Sequence, residues 1–109
     1  MVKLIYCVCR KPGLSREEFI RYWAEVHAPI GSRIPGLRRL VHSYALPVPG
    51  DSRRADFDGM AELWFDDRTA LERAKQSPAW KASGADRHNF QSGDPLIFIS
   101  EEEAEIPLP

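Results

Sequence analysis

Hydrophobic and polar positions switch between two periods along the chain, and the switches mark out its elements. Val2 to Cys9 is a short run of β-branched and aromatic residues ending at Arg10-Lys11-Pro12-Gly13, a turn signal, and it predicts a first strand. Its apolarity is nearly continuous, as expected of a central strand covered on both faces. The period then becomes that of a helix. Ser15 is followed three residues later by Glu18, a capping box at a helix start. At about 100° per residue, Phe19, Trp23, Val26 and Ile30 fall on one stripe, with Tyr22 and Ile20 on its shoulders. Glu17, Glu18, Arg21 and Glu25 take the opposite side. Pro29 disfavours helical geometry at Ala28, so the helix is expected to end or kink there.

Ile34-Pro35-Gly36 reads as a turn and Leu37 to Leu46 as a second strand whose polar mixture suits a sheet edge. Pro47 to Asp56 is a polar connection, long for a hairpin, of a kind that either carries function or is simply tolerated at a surface. Phe57 to Phe65 is a third strand, with Phe57, Gly59, Ala61, Leu63 and Phe65 on one face and Met60 and Trp64 on the other. Asp66-Asp67 opens a second helix with Ala70, Leu71 and Ala74 inward. Ser77-Pro78 interrupts it as a fresh N-cap with proline at the first helical position, and the next segment carries Trp80, Ala85 and His88, with Phe90 near its end. Gly93-Asp94-Pro95 is a further turn, Leu96 to Ile99 a fourth strand, and Glu101 to Pro109 an acidic tail that ends apolar.

The order β-α-β-β-α-β is the ferredoxin-like α+β arrangement, a four-stranded antiparallel sheet with its helices on one face. One domain over residues 1–104 and a tail over 105–109 are expected. Two helices cover only one face, yet strands one, three and four are apolar on both. A second copy of the same sheet is the simplest cover, so a homodimer through the open face is predicted.

Composition narrows the function. Fifteen basic and sixteen acidic residues in 109 give a net charge of −1, without the basic excess of a nucleic-acid binder. The fold also serves in RNA recognition, but here Asp58 and Glu62 lie on strand three between Asp56 and Asp66-Asp67, and that acidity would repel phosphates. No run is long enough to span a bilayer and none reads as a signal peptide, so a cytoplasmic protein is expected. Cys7 and Cys9 would point the same way on a strand, about 7 Å apart, a poor geometry for a bridge. A lone pair of cysteines is a weak metal signal, and no metal site is predicted. Metalloprotease, phosphate-loop and nucleophile-elbow motifs are missing, as are flavin and nicotinamide fingerprints; no tightly bound cofactor is predicted.

Two residues suggest chemistry. His27 continues the Phe19, Trp23 series in the last turn of the first helix. The helix C-terminus favours its charged form and partial burial the neutral one, a balance suited to proton exchange near neutral pH. The same position suits still better a structural histidine that hydrogen-bonds a carbonyl and packs on Trp23. Glu62 sits between Met60 and Trp64, where a carboxylate must meet a cation, a wet cavity or solvent. Pairing with an arginine is one reading and a catalytic partnership with His27 the other.

The stretches KLIYCVCRKPGLSREEFIRYWAEVHAP, IPGLRRLV and FDGMAELWFDD together resemble the EthD family over nearly the whole chain. The resemblance implies a dimeric α/β barrel with a pocket between each sheet and its helices. It carries over one residue, His27 of the HAP motif, as candidate acid/base. It implies a small-molecule enzyme acting on a cyclic, aromatic or lactone-like compound, as an isomerase, cyclase or lyase or as a cofactor-free oxidoreductase. Tyr6, Trp23, His42 and Trp80 would line the substrate pocket. The alternatives are a ligand-binding or redox accessory protein, and a haem-binding barrel with His27 as axial ligand.

Overall fold

In a computed structural model, residues 1–50, 57–101 and 103–109 are described; most of the polar connection Pro47 to Asp56, read as either functional or a tolerated surface loop, therefore lies outside the described residues. Strands β1 (Val2–Arg10), β2 (Arg39–Tyr44), β3 (Gly59–Phe65) and β4 (Gln91–Ser100) form one antiparallel sheet in the order β2-β3-β1-β4. As the patterning predicts, β1 is central and the more polar β2 is an edge. Helices α1 (Arg16–Tyr22), α2 (Ala28–Gly31), α3 (Arg68–Ala74) and α4 (Pro78–Asp86) belong to the ferredoxin-like arrangement.

The register settles which way each strand faces. Leu4 pairs with Leu63, Tyr6 with Ala61 and Val8 with Gly59, while Leu40 pairs with Leu63 and His42 with Ala61. These residues look at the helices. Leu4, Leu63 and Phe65 join Phe19, Trp23, Leu71 and Ala74 in the core. Alternate positions, Ile5, Cys7, Met60, Glu62, Trp64, Val41, Leu96 and Phe98, occupy the other face. There Leu96 and Phe98 remain 54% and 55% exposed. Cys7 and Cys9 form no disulfide.

Helix starts obey their sequence signals. Ser15 Oγ accepts from the Glu18 N–H at 3.1 Å and Glu18 Oε1 accepts from the Ser15 N–H at 3.4 Å, which closes the capping box. Asp67 and Ser77 cap α3 and α4 by accepting from the N–H groups of Ala70 and Trp80. The two boundaries read as breaks differ from expectation. Pro29 does not end the helical path. Trp23–His27 instead forms one π-helical turn, with the Ala28 N–H bonded to Trp23 O, and α2 carries proline in its first turn. The extra residue in that turn rotates the remainder of the helical path, so Val26 swings out to 42% exposure and His27 swings toward the sheet. Gly93-Asp94-Pro95 is not a turn before β4 but a bulge within it. Cys7 pairs with Leu96 and Cys9 with Ser92, which leaves three residues of β4 against Val8 alone, with Gly93 at a φ of 68°.

One close approach shapes the interior. A Cβ on Gly59 would run into the Trp23 indole, meeting Cη2 at 3.1 Å and Cε3 at 3.2 Å and Cζ3 closer still. Glycine at this position lets the Trp23 ring lie flat on the end of β3.

Candidate active site

Between the helices and the sheet lies a cavity of about 200 Å3. The strands contribute Tyr6, Leu40, His42 and Ala61, the π turn contributes Trp23 and His27, and α4 contributes Trp80 and Ser83. Phe90, Arg87 and Gln91, on the chain leading into β4, close one side. Trp23 is only 2% exposed and stacks on His42, with centroids 4.1 Å apart and planes 18° from parallel. His27 packs its ring on Phe90 at 4.5 Å.

His27 is held by a carboxylate that the patterning does not anticipate. Its Nδ1 lies 2.8 Å from Asp86 Oδ2, with both side chains nearly enclosed. Asp86 is fixed in turn. Its Oδ1 accepts from the Tyr22 hydroxyl at 2.6 Å and from Asn89 Nδ2 at 3.0 Å. Because the ionised carboxylate can only accept, His27 carries its proton on Nδ1, and Nε2 is left as a lone-pair acceptor. Ser83 Oγ stands 3.4 Å from that nitrogen, a long contact.

The electrostatics favour a neutral base at neutral pH. Burial lowers the His27 pKa below that of a free imidazole; Asp86 pulls against the shift and the nearby Arg87 charge adds to it. Burial also opposes the Asp86 charge, yet the hydrogen bonds from Tyr22, Asn89 and His27 outweigh it and hold that pKa below the usual value. His42 is pushed down to about 4, first by burial and then by His27. Burial raises the Tyr6 phenol.

Tyr6, Trp23, His27, His42 and Trp80 line one cavity. Glu62 does not. It projects from the opposite face of the sheet, opposite Ile5 and Val41, with Lys3 Nζ 3.2 Å from its carboxylate. The physical reason is the two-residue period of β3: Ala61 and Leu63 point to the helices, so Glu62 between them cannot. The cation that meets it is a lysine rather than an arginine. Asp86, Tyr22, Ser83 and Arg87 are the residues that sequence patterning passed over. A signal existed, since Trp80, Ser83, Gly84 and Arg87 recur at the spacing of one helix face. That face is polar, so hydrophobic periodicity does not pick it out.

Among the described residues no three His, Cys, Asp or Glu side chains come close enough to hold a metal ion. The arrangement does not fit haem either. At about 200 Å3 the cavity falls below the range of roughly 300–1,000 Å3 for sites of drug-sized ligands, too small for a macrocycle of that size. The Ser83-His27-Asp86 sequence of contacts has the outline of a nucleophilic triad. However, 3.4 Å is long for activation, and Ser83 lies within a helix whose N–H groups are already bonded to its own carbonyls. What the geometry does offer is a neutral imidazole whose acceptor nitrogen faces an aromatic cavity and whose protonated form Asp86 would stabilise.

A family model described as EthD domain matches residues 11–94. An EthD family protein of Bacillus halodurans, solved by crystallography, superposes with a TM-score of 0.78 at 31% identity, over 94% of this chain and 99% of that one. A dimeric ferredoxin-like protein of unknown function from Thermobifida fusca gives a TM-score of 0.68 at 12% identity, over 91% and 88%. SnoaB, a cofactor-independent oxygenase from Streptomyces nogalater, gives 0.62 at 17% identity, over 98% and 97%. The last two likenesses show the fold alone. No helix among the described residues is long and apolar enough to cross a membrane.

Proposed function

The chain belongs to the EthD domain family, and on that premise we propose that it is a small-molecule enzyme without a tightly bound cofactor, moving a proton on a cyclic, aromatic or lactone-like compound. The observation that carries this reading is the 2.8 Å contact of His27 with Asp86 inside an aromatic cavity. His27 Nε2 takes a proton from an acidified C–H or O–H of the bound compound. The Asp86 carboxylate stabilises the imidazolium that results, and the proton is returned at another atom or to a leaving group. Tyr6, Trp23, His42 and Trp80 are the binding surface. His42 with its pKa near 4 stays neutral and serves as a stacking and hydrogen-bonding wall rather than as a second base.

The test is wash-in of solvent deuterium. Lactones and enolisable aromatic ketones are incubated in D2O and followed by proton NMR. Exchange catalysed by the wild type and reduced about 100-fold or more in His27→Gln supports the reading. Exchange that survives in His27→Gln contradicts it. The SnoaB neighbour favours a second reading, a cofactor-free oxygenase. In it the same base would generate a carbanion or phenolate electron-rich enough to reduce O2 directly, and oxygen uptake that depends on His27 would identify it.

We further propose that a second copy of the chain covers the open sheet face. Leu96 and Phe98 are exposed on the same sheet face as Ile5, Val41 and Trp64. The Thermobifida fusca neighbour of the same fold is dimeric, which supports a homodimer. Burying this face would enclose the Lys3–Glu62 pair, giving Glu62 a structural rather than a catalytic role. We propose a cytoplasmic location on the two unbridged cysteines, which suit a reducing compartment.

A further inference from the structure

We propose that the cavity selects a hydroxylated ring compound carrying an anionic oxygen substituent such as a carboxylate, with Arg87 and Tyr6 holding the anion and Gln91 accepting from the hydroxyl. This goes beyond proton transfer by naming the ligand class, and it rests on that reading for the place of the reacting atom beside His27.

Three polar groups of the cavity carry the inference, because the fold leaves each of them wanting a partner. Arg87 lines the cavity at the end of α4 and is only partly open to solvent. Among the described residues no carboxylate pairs with it. Its guanidinium reaches one backbone oxygen, Gly84 O, at 3.5 Å through Nε. The adjacent Asp86 is committed to His27, Tyr22 and Asn89. A guanidinium presents five donors in a planar fork matched to a carboxylate, so most of its bonding capacity is unused here. Its charge is near enough to favour the ionised Tyr6 phenol and disfavour the charged His27 imidazole.

Gln91 gives the second, independent observation. It lines the same cavity, is 7% exposed, and its Oε1 has no hydrogen-bond partner, while its Nε2 donates to Gly93 O at 3.1 Å. Buried carbonyl oxygens are nearly always satisfied, so the orphan Oε1, itself closed off from solvent, marks a bond that a small turn of the Gln91 side chain toward the cavity would let an occupant's hydroxyl complete. The Nε2 contact fixes which end of the amide is the acceptor, and a ligand hydroxyl supplies what Oε1 lacks. The Tyr6 hydroxyl has no hydrogen-bond partner among the described residues either, and it adds a donor to the same cavity. Donors for an anion and an acceptor for a hydroxyl thus share one aromatic pocket. At about 200 Å3 the pocket has the volume of roughly seven water molecules, enough for one substituted ring.

Calorimetric titration of the intact chain with three probes at pH 7.5 tests this. The probes are 4-hydroxybenzoate, its neutral isostere 4-hydroxybenzamide, and benzoate. Charge-assisted bonds to Arg87 predict that 4-hydroxybenzoate binds about tenfold or more tighter than the amide. The missing hydroxyl makes benzoate weaker than 4-hydroxybenzoate. In Arg87→Gln the preference for the acid over the amide collapses while the affinity for the amide is kept; Arg87→Lys retains part of the preference. Equal affinities for acid and amide in the wild type, a preference that survives Arg87→Gln, or no binding of any probe at millimolar concentration overturns the proposal. None of these readouts uses catalysis. An Arg87-dependent preference alongside deuterium exchange indifferent to His27 would sink the proton-transfer reading alone, and the converse would sink this one alone.

Discussion

Acidification tests the burial of His42 directly. Its pKa falls from 6.5 to about 4 because a charged imidazole would have to leave water for the gap between Trp23 and the sheet, next to His27. Above pH 6.5 both folded and unfolded chains hold it neutral, and it contributes no pH dependence. As the pH falls from about 6.5 to about 4, the unfolded chain takes up a proton that the folded chain refuses, so folding stability drops across that window. Below about 4 both states are protonated and the contribution levels off. At 1.36 kcal/mol per pKa unit the ceiling is about 3.4 kcal/mol, and residual solvent contact reduces the expected loss to about 2 kcal/mol. His27 adds to the loss in the same direction. Asp86, with its pKa lowered, contributes stability above the ordinary carboxylate range that is lost only as the pH falls below it. The window therefore separates histidine from aspartate. The assay is urea unfolding at fixed chain concentration at pH 7, 5.5 and 4, for the wild type and for His42→Phe, which keeps a flat ring against Trp23. The variant should lose about 2 kcal/mol less than the wild type between pH 7 and 4. Parallel losses in the two proteins would refute the claim that His42 is neutral by burial.

The packing and the surface make three more outcomes testable. Gly59→Ala drives a methyl group into Trp23, which Phe19, Phe90 and His42 hold from other sides, and should destabilise the fold by about 1–3 kcal/mol in chemical denaturation. A double variant with Trp23→Phe should recover part of that loss, and strict additivity of the two changes would contradict the contact. A serine-directed fluorophosphonate should add no mass to the intact chain, since Ser83 is too far from His27 to be activated; a stoichiometric adduct on Ser83 would revive the nucleophilic triad. Phe98→Glu places a charge on the open face and should yield a monomer in sedimentation, while a dimer that persists would place the interface elsewhere.

How far the patterning reached depends on which physical effect set each feature. The central place of β1, the edge position of β2 and the helix starts at Ser15, Asp67 and Ser77 come from period, polarity and side-chain acceptors, which are local properties. The inward direction of His27 was legible only in part. A straight helix puts Val26 on the core stripe and His27 on its shoulder, and the π turn reverses them through one backbone hydrogen bond. The partnership of His27 with Asp86 was not legible, because the two are 59 residues apart and meet only once α2 and α4 pack side by side. The face of β3 that carries Glu62 was ambiguous for a different reason. Both faces of β3 hold large apolar residues, so hydrophobicity does not say which one meets the helices. Only the pairing of Ala61 with Tyr6 and His42 resolves it.

The central claim is that Asp86 orients His27 and supports its charged form within the cavity. Nitrogen and proton NMR of the imidazole, titrated in the wild type and in Asp86→Asn, tests it most directly. The account predicts a proton resident on Nδ1 and a wild-type pKa below 6.5, with a further fall in Asp86→Asn because the group that opposes desolvation is gone. A histidine that titrates at 6.5, or whose pKa ignores the loss of the Asp86 charge, would contradict the acid/base assignment.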